Sequence, residues 1–112
     1  MVDEMLHANF HIHTLALGPR PIPLRMATLL VVARAESAAL DWEIVAHTVE
    51  REPVANAAHP LAMSCITGAD GGGALEFTRY DGDAILVRAV DNALVFRGIG
   101  VLNGFDLATL RG

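Results

Sequence analysis

Apolar and polar positions alternate along much of this chain, most clearly from Ala74 to Gly98, which reads ALEFTRY-DGD-AILVRAV-DN-ALVFRG. Three runs rich in β-branched and aromatic residues are separated by turn-forming residues, the pattern of consecutive antiparallel strands. Taking Asp91-Asn92 as a two-residue turn sets Val90 opposite Ala93, Ala89 opposite Leu94 and Val87 opposite Phe96. A three-residue loop at Asp81-Gly82-Asp83 turns the preceding run so that Phe77 joins Val87 and Phe96 on one face. The same loop sets Glu76 opposite Arg88, a cross-strand pair worth a few tenths to about 1 kcal/mol. A two-residue loop would bury Glu76 instead, so the longer loop is expected.

A second hairpin is legible upstream. Leu40, Trp42, Ile44 and Ala46 alternate with Asp41, Glu43, Val45 and His47, the period of a half-buried strand. Pairing it with Thr28 to Ala35 across Glu36-Ser37-Ala38-Ala39 sets Ala33 opposite Trp42, Val31 opposite Ile44 and Arg34 opposite Asp41. Helix competes for Ala27 to Ala39, because alanine and leucine favour it; strand is preferred, since the pairing satisfies both faces. The core is then expected to hold Val31, Trp42, Ile44, Phe77, Val87 and Phe96.

The remaining segments fit the same class. Residues 7–16 read as a first strand and Gly18-Pro19-Arg20-Pro21-Ile22-Pro23 as a rigid connector of polyproline character. Glu50 to His59 reads as a loop with a helical turn at Ala55 to Ala58, stopped before Pro60. Leu61 to Thr67 reads as a strand, Gly68 to Gly73 as a flexible hairpin loop, and the tail as a short helix capped by Asp106. The expected fold is all-β and mainly antiparallel: a small sandwich or partly open barrel of six to seven strands, with at most one or two short helical turns. Residues 1–112 are expected to form one domain, large enough to bury roughly two-thirds of its unfolded surface.

Composition narrows the classes of function. Hydrophobic residues make up 53% of the chain, yet no apolar run approaches the roughly 18 residues of a membrane helix. The longest, Met26 to Ala33, ends in Ala33-Arg34-Ala35, which mimics a signal-peptidase site, but it lies far behind the acidic start Met1-Val2-Asp3-Glu4-Met5; no signal peptide is expected. With one cysteine, no internal disulfide can form, and a cytoplasmic location is expected. The net charge is -5 and the eight basic residues, all arginines, are scattered singly, so nucleic acid is not an expected partner. The lack of lysine beside abundant alanine fits the coding bias of a GC-rich bacterium or phage.

Candidate chemistry is sparse. His7, His11 and His13 fall on one strand face, and residues at i and i+2 lie about 6.5–7 Å apart, close enough to share an ion. This His-x-His resembles the metal-ligand pair of cupins and of some metal-dependent hydrolases. It implies a third ligand from His47 or His59, and the alternative metal set is His11, His13 and His47. No glutamate follows His13 within five residues, where a cupin has one, so no metal or other cofactor is expected. The glycines at 68–73 lack the Gly-Lys-Ser/Thr of a phosphate loop, and Gly98-Ile99-Gly100 lacks the third glycine of a dinucleotide fingerprint; the latter reads as a strand end with bulges. Cys65 alternates in step with Leu61 and Met63 and reads as core, Ser64 lacks nucleophile-elbow context, and Asp81 and Asp83 serve the turn. No carboxylate pair is left for acid–base work, so no catalytic residue is assigned.

One feature leans toward function. The registers leave Leu30, Val32, Val45, Leu86 and Val95 on faces that should be solvated. The expected function is a non-catalytic interaction or assembly domain that self-associates or docks on a larger protein, as small acidic phage-type inhibitors and virion components do. A homo-oligomer or a protein partner is therefore expected. The alternatives are a small-molecule or metal-binding barrel using the histidine strand, and a small enzyme with His11 or His13 as base.

Overall fold

Alternating inward side chains line one sheet that curls on itself. The computed structural model describes residues 5–34 and 40–111. Its strands are β1 (Met5–Leu17), β2 (Arg20–Ile22), β3 (Leu24–Arg34), β4 (Leu40–Thr48), β5 (Ala58–Ala69), β6 (Leu75–Val90) and β7 (Ala93–Asn103). They form a single antiparallel seven-stranded sheet in the order β2-β1-β3-β4-β7-β6-β5, with β1 also paired to β5. The all-β, partly open barrel is thus the architecture. Among the described residues the one helical element is a 3-10 turn at Leu107–Thr109, whose N-cap Asp106 accepts a hydrogen bond from the Ala108 amide at 2.9 Å. No described helix is long and apolar enough to cross a membrane.

β1 closes the circuit. Its first half, Met5 to His11, pairs with β3, and its second half, His11 to Leu17, with β5. The described tail covers the free side of the first half: His7 and Arg111 exchange backbone hydrogen bonds at 2.7 and 2.8 Å, Leu110 is buried, and Phe105 packs against Phe10 and Tyr80. A bulge between Ile12 and Thr14 turns His13 and Thr14 outward together and lets both Ile12 and Leu15 point inward. The interior holds Trp42, Tyr80, Phe96, Leu29, Ile44, Leu61, Met63 and Leu94, all essentially without solvent contact. Each such side chain contributes about 1.5–3 kcal/mol through burial.

Two turns read from sequence have clear structural anchors. Val90 pairs with Ala93 across Asp91-Asn92, with Asp91 at φ 53°. The Asn92 side chain donates to the Thr48 and Val49 carbonyls, and buried Thr48 donates its hydroxyl back to this turn and to Glu50. Residues 70–74 form the β5–β6 hairpin, pinned by the Asp70 carboxylate, which accepts from the Gly72 and Ala74 amides at 2.8 and 2.9 Å.

Elsewhere the registers differ from expectation, for identifiable reasons. Asp81-Gly82-Asp83 is no turn: β6 runs straight through it, pairing with β5 over Leu75–Ile85 and with β7 over Asp81–Val90. Gly82 is where β6 passes beneath Trp42, since an added Cβ would lie 3.0 Å from the indole and 2.6 Å from the Val101 carbonyl. Glu76 and Arg88 therefore lie on the same strand and do not face one another. A bulge at Val87 puts Leu86, not Val87, opposite Phe96; Leu86 is buried, whereas Val87 and Phe77 are exposed and leave the expected core.

On the other side of the barrel, β3 and β4 pair two residues away from the expected register: Val31 faces Trp42, Leu29 faces Ile44, Val32 faces Asp41, and Arg34 pairs with Met5. An even slip preserves which residues point inward. Trp42 finds its space against Gly98 and Gly82 instead of Ala33. The expected loop at Glu36 to Ala39 lies outside the described residues. The proline connector contains the short strand β2, folded back on β1 through Gly18-Pro19.

Candidate interaction surface

Period-2 geometry sends alternate residues of β3, β4, β7 and β6 to the outside, and cross-strand pairing sorts them into rows. One row is Leu30, Glu43, Arg97, Ile85; the next is Thr28, Val45, Val95, Arg88; a third is Met26, His47, Ala93, Val90. Val32 and Asp41 stand beside the first row on β3 and β4. Leu30, Val32, Val45 and Val95 therefore share one outer face. Leu86 does not belong with them: the Val87 bulge turns it into the core, and exposed Ile85, Val87 and Val90 supply the apolar surface on β6 instead.

Among the described side chains, charge on this face is balanced, with Asp41 and Glu43 against Arg88 and Arg97. Glu43 and Arg97 are cross-strand partners, yet among the described residues neither makes an ion pair; the pair that forms is Arg20–Glu52, at the β2 end. A shallow depression of about 280 Å³ lies between Leu30, Val32, Asp41, Glu43 and Arg97, with Trp42 at its floor.

The histidine strand does not converge on one point. His7, His11 and His13 are all exposed on β1, but the bulge rotates His13 toward β6, where its ring lies 5.1 Å from that of Phe77. His47 lies on the opposite side of His11, two strands away beyond Thr28 and Val45 and facing Met26. His59 bonds the Ala55 carbonyl at 2.8 Å. No group of three or more His, Cys, Asp or Glu side chains among the described residues is placed to hold a metal ion. The set His11, His13 and His47 is therefore not brought together.

The other singled-out motifs are structural. In the 70–74 turn the Asp70 carboxylate already occupies amides that an anion would need. Cys65 is buried, and burial pushes its thiol up to about 12, which leaves it a neutral apolar filler at ordinary pH. Tyr80 beside it is also raised, first by burial and then by the charge a Cys65 thiolate would carry. Gly98 to Gly100 is a bulged strand end, since four steps of β7 from Ile99 to Asn103 span two of β6 from Asp83 to Asp81.

That bulge creates a feature the sequence pattern did not disclose. The β4–β7 ladder stops at Glu43–Arg97, so Leu40–Trp42 and Gly98–Val101 diverge. The Trp42 indole bridges the split, donating from Nε1 to the Gly100 carbonyl at 3.1 Å. An open groove of about 540 Å³ lies between Leu40, Asp41, Gly98, Gly100, Val101 and Leu107. Val101 is 73% and Leu107 64% exposed. The available signal was the Gly-x-Gly-Val run beside a strand that begins at Leu40. Comparison with protein-family models, with curated proteins and with solved structures finds no match to this chain.

Proposed function

We propose that this chain is a non-catalytic assembly domain that pairs with a second copy of itself through the outer face of β3, β4, β7 and β6. The observation that supports this reading is the self-complementarity of that face. A two-fold axis parallel to the strands and midway between β4 and β7 sets β4 over β7 of the other copy and β3 over β6. Val45 then meets Val95, Leu30 meets Ile85 and Met26 meets Val90, while Glu43 lies against Arg97 twice over. Balanced charge lets two chains of net charge -5 meet there without repulsion between the faces themselves.

Size sets the strength. Four strands about 4.8 Å apart and four rows about 7 Å apart cover on the order of 500 Å². That is below the roughly 800 Å² per partner of a standard stable interface, so a dimer dissociating in the micromolar range is expected. The test is a pair of charge reversals with a core-neutral control. Glu43→Arg and Arg97→Glu should each weaken the dimer, and the double variant should restore it. Val45→Asp should yield folded monomer. A double variant no better than either single variant would refute the two-fold arrangement.

A further inference from the structure

The split between β4 and β7 offers a second binding surface, which meets the pairing face at Asp41. Three observations bear on it. First, the ladder ends at Glu43–Arg97, so among the described residues Gly98–Val101 has no strand neighbour on the β4 side and Leu40–Trp42 has none on the β7 side. Sheet edges of this kind accept an extended segment through backbone hydrogen bonds and side-chain pockets. Second, the walls are largely apolar and open: Leu40 on one side, Val101 and Leu107 on the other. Third, among the described residues the charged side chain lining the groove is Asp41, and no arginine lines it.

We infer that this split is a docking slot for an extended apolar segment of another protein carrying one cationic side chain, which is held by Asp41. The apolar residues of the segment rest on Val101 and Leu107. Its arginine or lysine meets the Asp41 carboxylate at the rim, and its backbone runs along the unpaired part of β7. Gly100 carries no Cβ to stand in the way of that approach, and one built there would meet nothing within 4 Å. The slot adjoins the pairing face at Asp41, but its Val101 and Leu107 wall lies outside the rows used in self-pairing, so a change at Val101 separates the two surfaces.

The test uses the full chain, immobilised, against a displayed library of random heptapeptides, with Val101→Asp and Asp41→Asn as comparison baits. Both substitutions fall on exposed side chains, and circular dichroism confirms that each variant is folded. On the unmodified chain, enriched peptides should alternate β-branched residues and carry one arginine or lysine. The best of them, synthesised with a fluorophore, should bind at least about tenfold more weakly to Val101→Asp, a difference easily read by polarisation. Asp41→Asn should still select apolar peptides and lose the basic preference. Amide NMR shifts should centre on Gly98, Gly100 and Val101. Enrichment of the same sequences on Val101→Asp, absence of any enrichment, or a preference for acidic or helical peptides would overturn the proposal. Dimerisation measured on Val101→Asp should be unchanged, which separates this outcome from failure of the pairing face.

Discussion

Substituting Gly98 by alanine should be among the most damaging single changes in the chain, although it adds one methyl group. Its Cβ would lie 2.0 Å from Cε2, 2.2 Å from Nε1 and 2.3 Å from Cδ2 of Trp42. Carbon atoms in contact normally sit about 3.5–4.0 Å apart, so either the indole or β7 must move by more than an ångström. Trp42 is 2% exposed. Overpacking of a full core costs about 1–3 kcal/mol. Displacing the indole also breaks its bond to the Gly100 carbonyl, and a buried donor left without a partner costs about 1–3 kcal/mol more. The sum, about 2–6 kcal/mol, should lower the melting temperature by more than about 10 °C.

Urea denaturation and thermal circular dichroism would measure it, with Gly71→Ala as control. No atom lies within 4 Å of a Cβ built at Gly71, so that variant should stay within about 0.5 kcal/mol of the parent. In a Trp42→Ala background the Gly98→Ala penalty should largely vanish, a coupling that only direct contact produces. If Gly98→Ala melts within a degree or two of the parent, Trp42 does not lie on Gly98 and the packing described here is wrong.

Phe96→Ala should cost about 3–5 kcal/mol by chemical denaturation, because the ring is fully buried opposite Ile44 and Leu86; a loss under about 1 kcal/mol would refute that placement. Cys65 should resist thiol reagents in the folded chain and react once urea unfolds it. Its raised value also fixes a sign: between the ordinary 9.0 and about 12 the unfolded chain has lost a proton that the folded chain keeps. Stability should therefore fall as pH rises through that window, by at most about 1.4 kcal/mol per pH unit. Cys65→Val should flatten that slope, leaving the part due to Tyr80, and equal slopes in the two proteins would contradict the assignment. Asp70→Ala should loosen the β5–β6 turn by freeing the Gly72 and Ala74 amides, seen as faster hydrogen exchange there with little change in global stability.

The strand content was legible because Trp42, Ile44 and Ala46 alternate with charged and polar neighbours, and because Asp91-Asn92 is a turn in its own right. What was not legible depends on distant residues. Asp81-Gly82-Asp83 has the composition of a turn, and only the Trp42 indole lying across Gly82 explains why a strand passes there. The Val87 bulge exchanges Leu86 and Val87 between core and surface, which no local alternation reveals. On the outer face, Leu30, Val32, Val45 and Val95 followed from period 2 alone, while Leu86 was lost to the same bulge. The β4–β7 split was hidden because it depends on where a ladder between strands some fifty residues apart comes to an end.

Pairing of two copies through the outer face of β3, β4, β7 and β6 is read most directly from mass in solution. Sedimentation equilibrium of the untagged protein, from about 1 to about 200 μM, spans the dissociation range that an interface of this size implies. The weight-average mass should rise with concentration from 11.9 kDa toward twice that value. Val45→Asp should hold at the lower mass with an unchanged circular dichroism spectrum. Unmodified protein that remains at 11.9 kDa at the highest concentration would contradict the account.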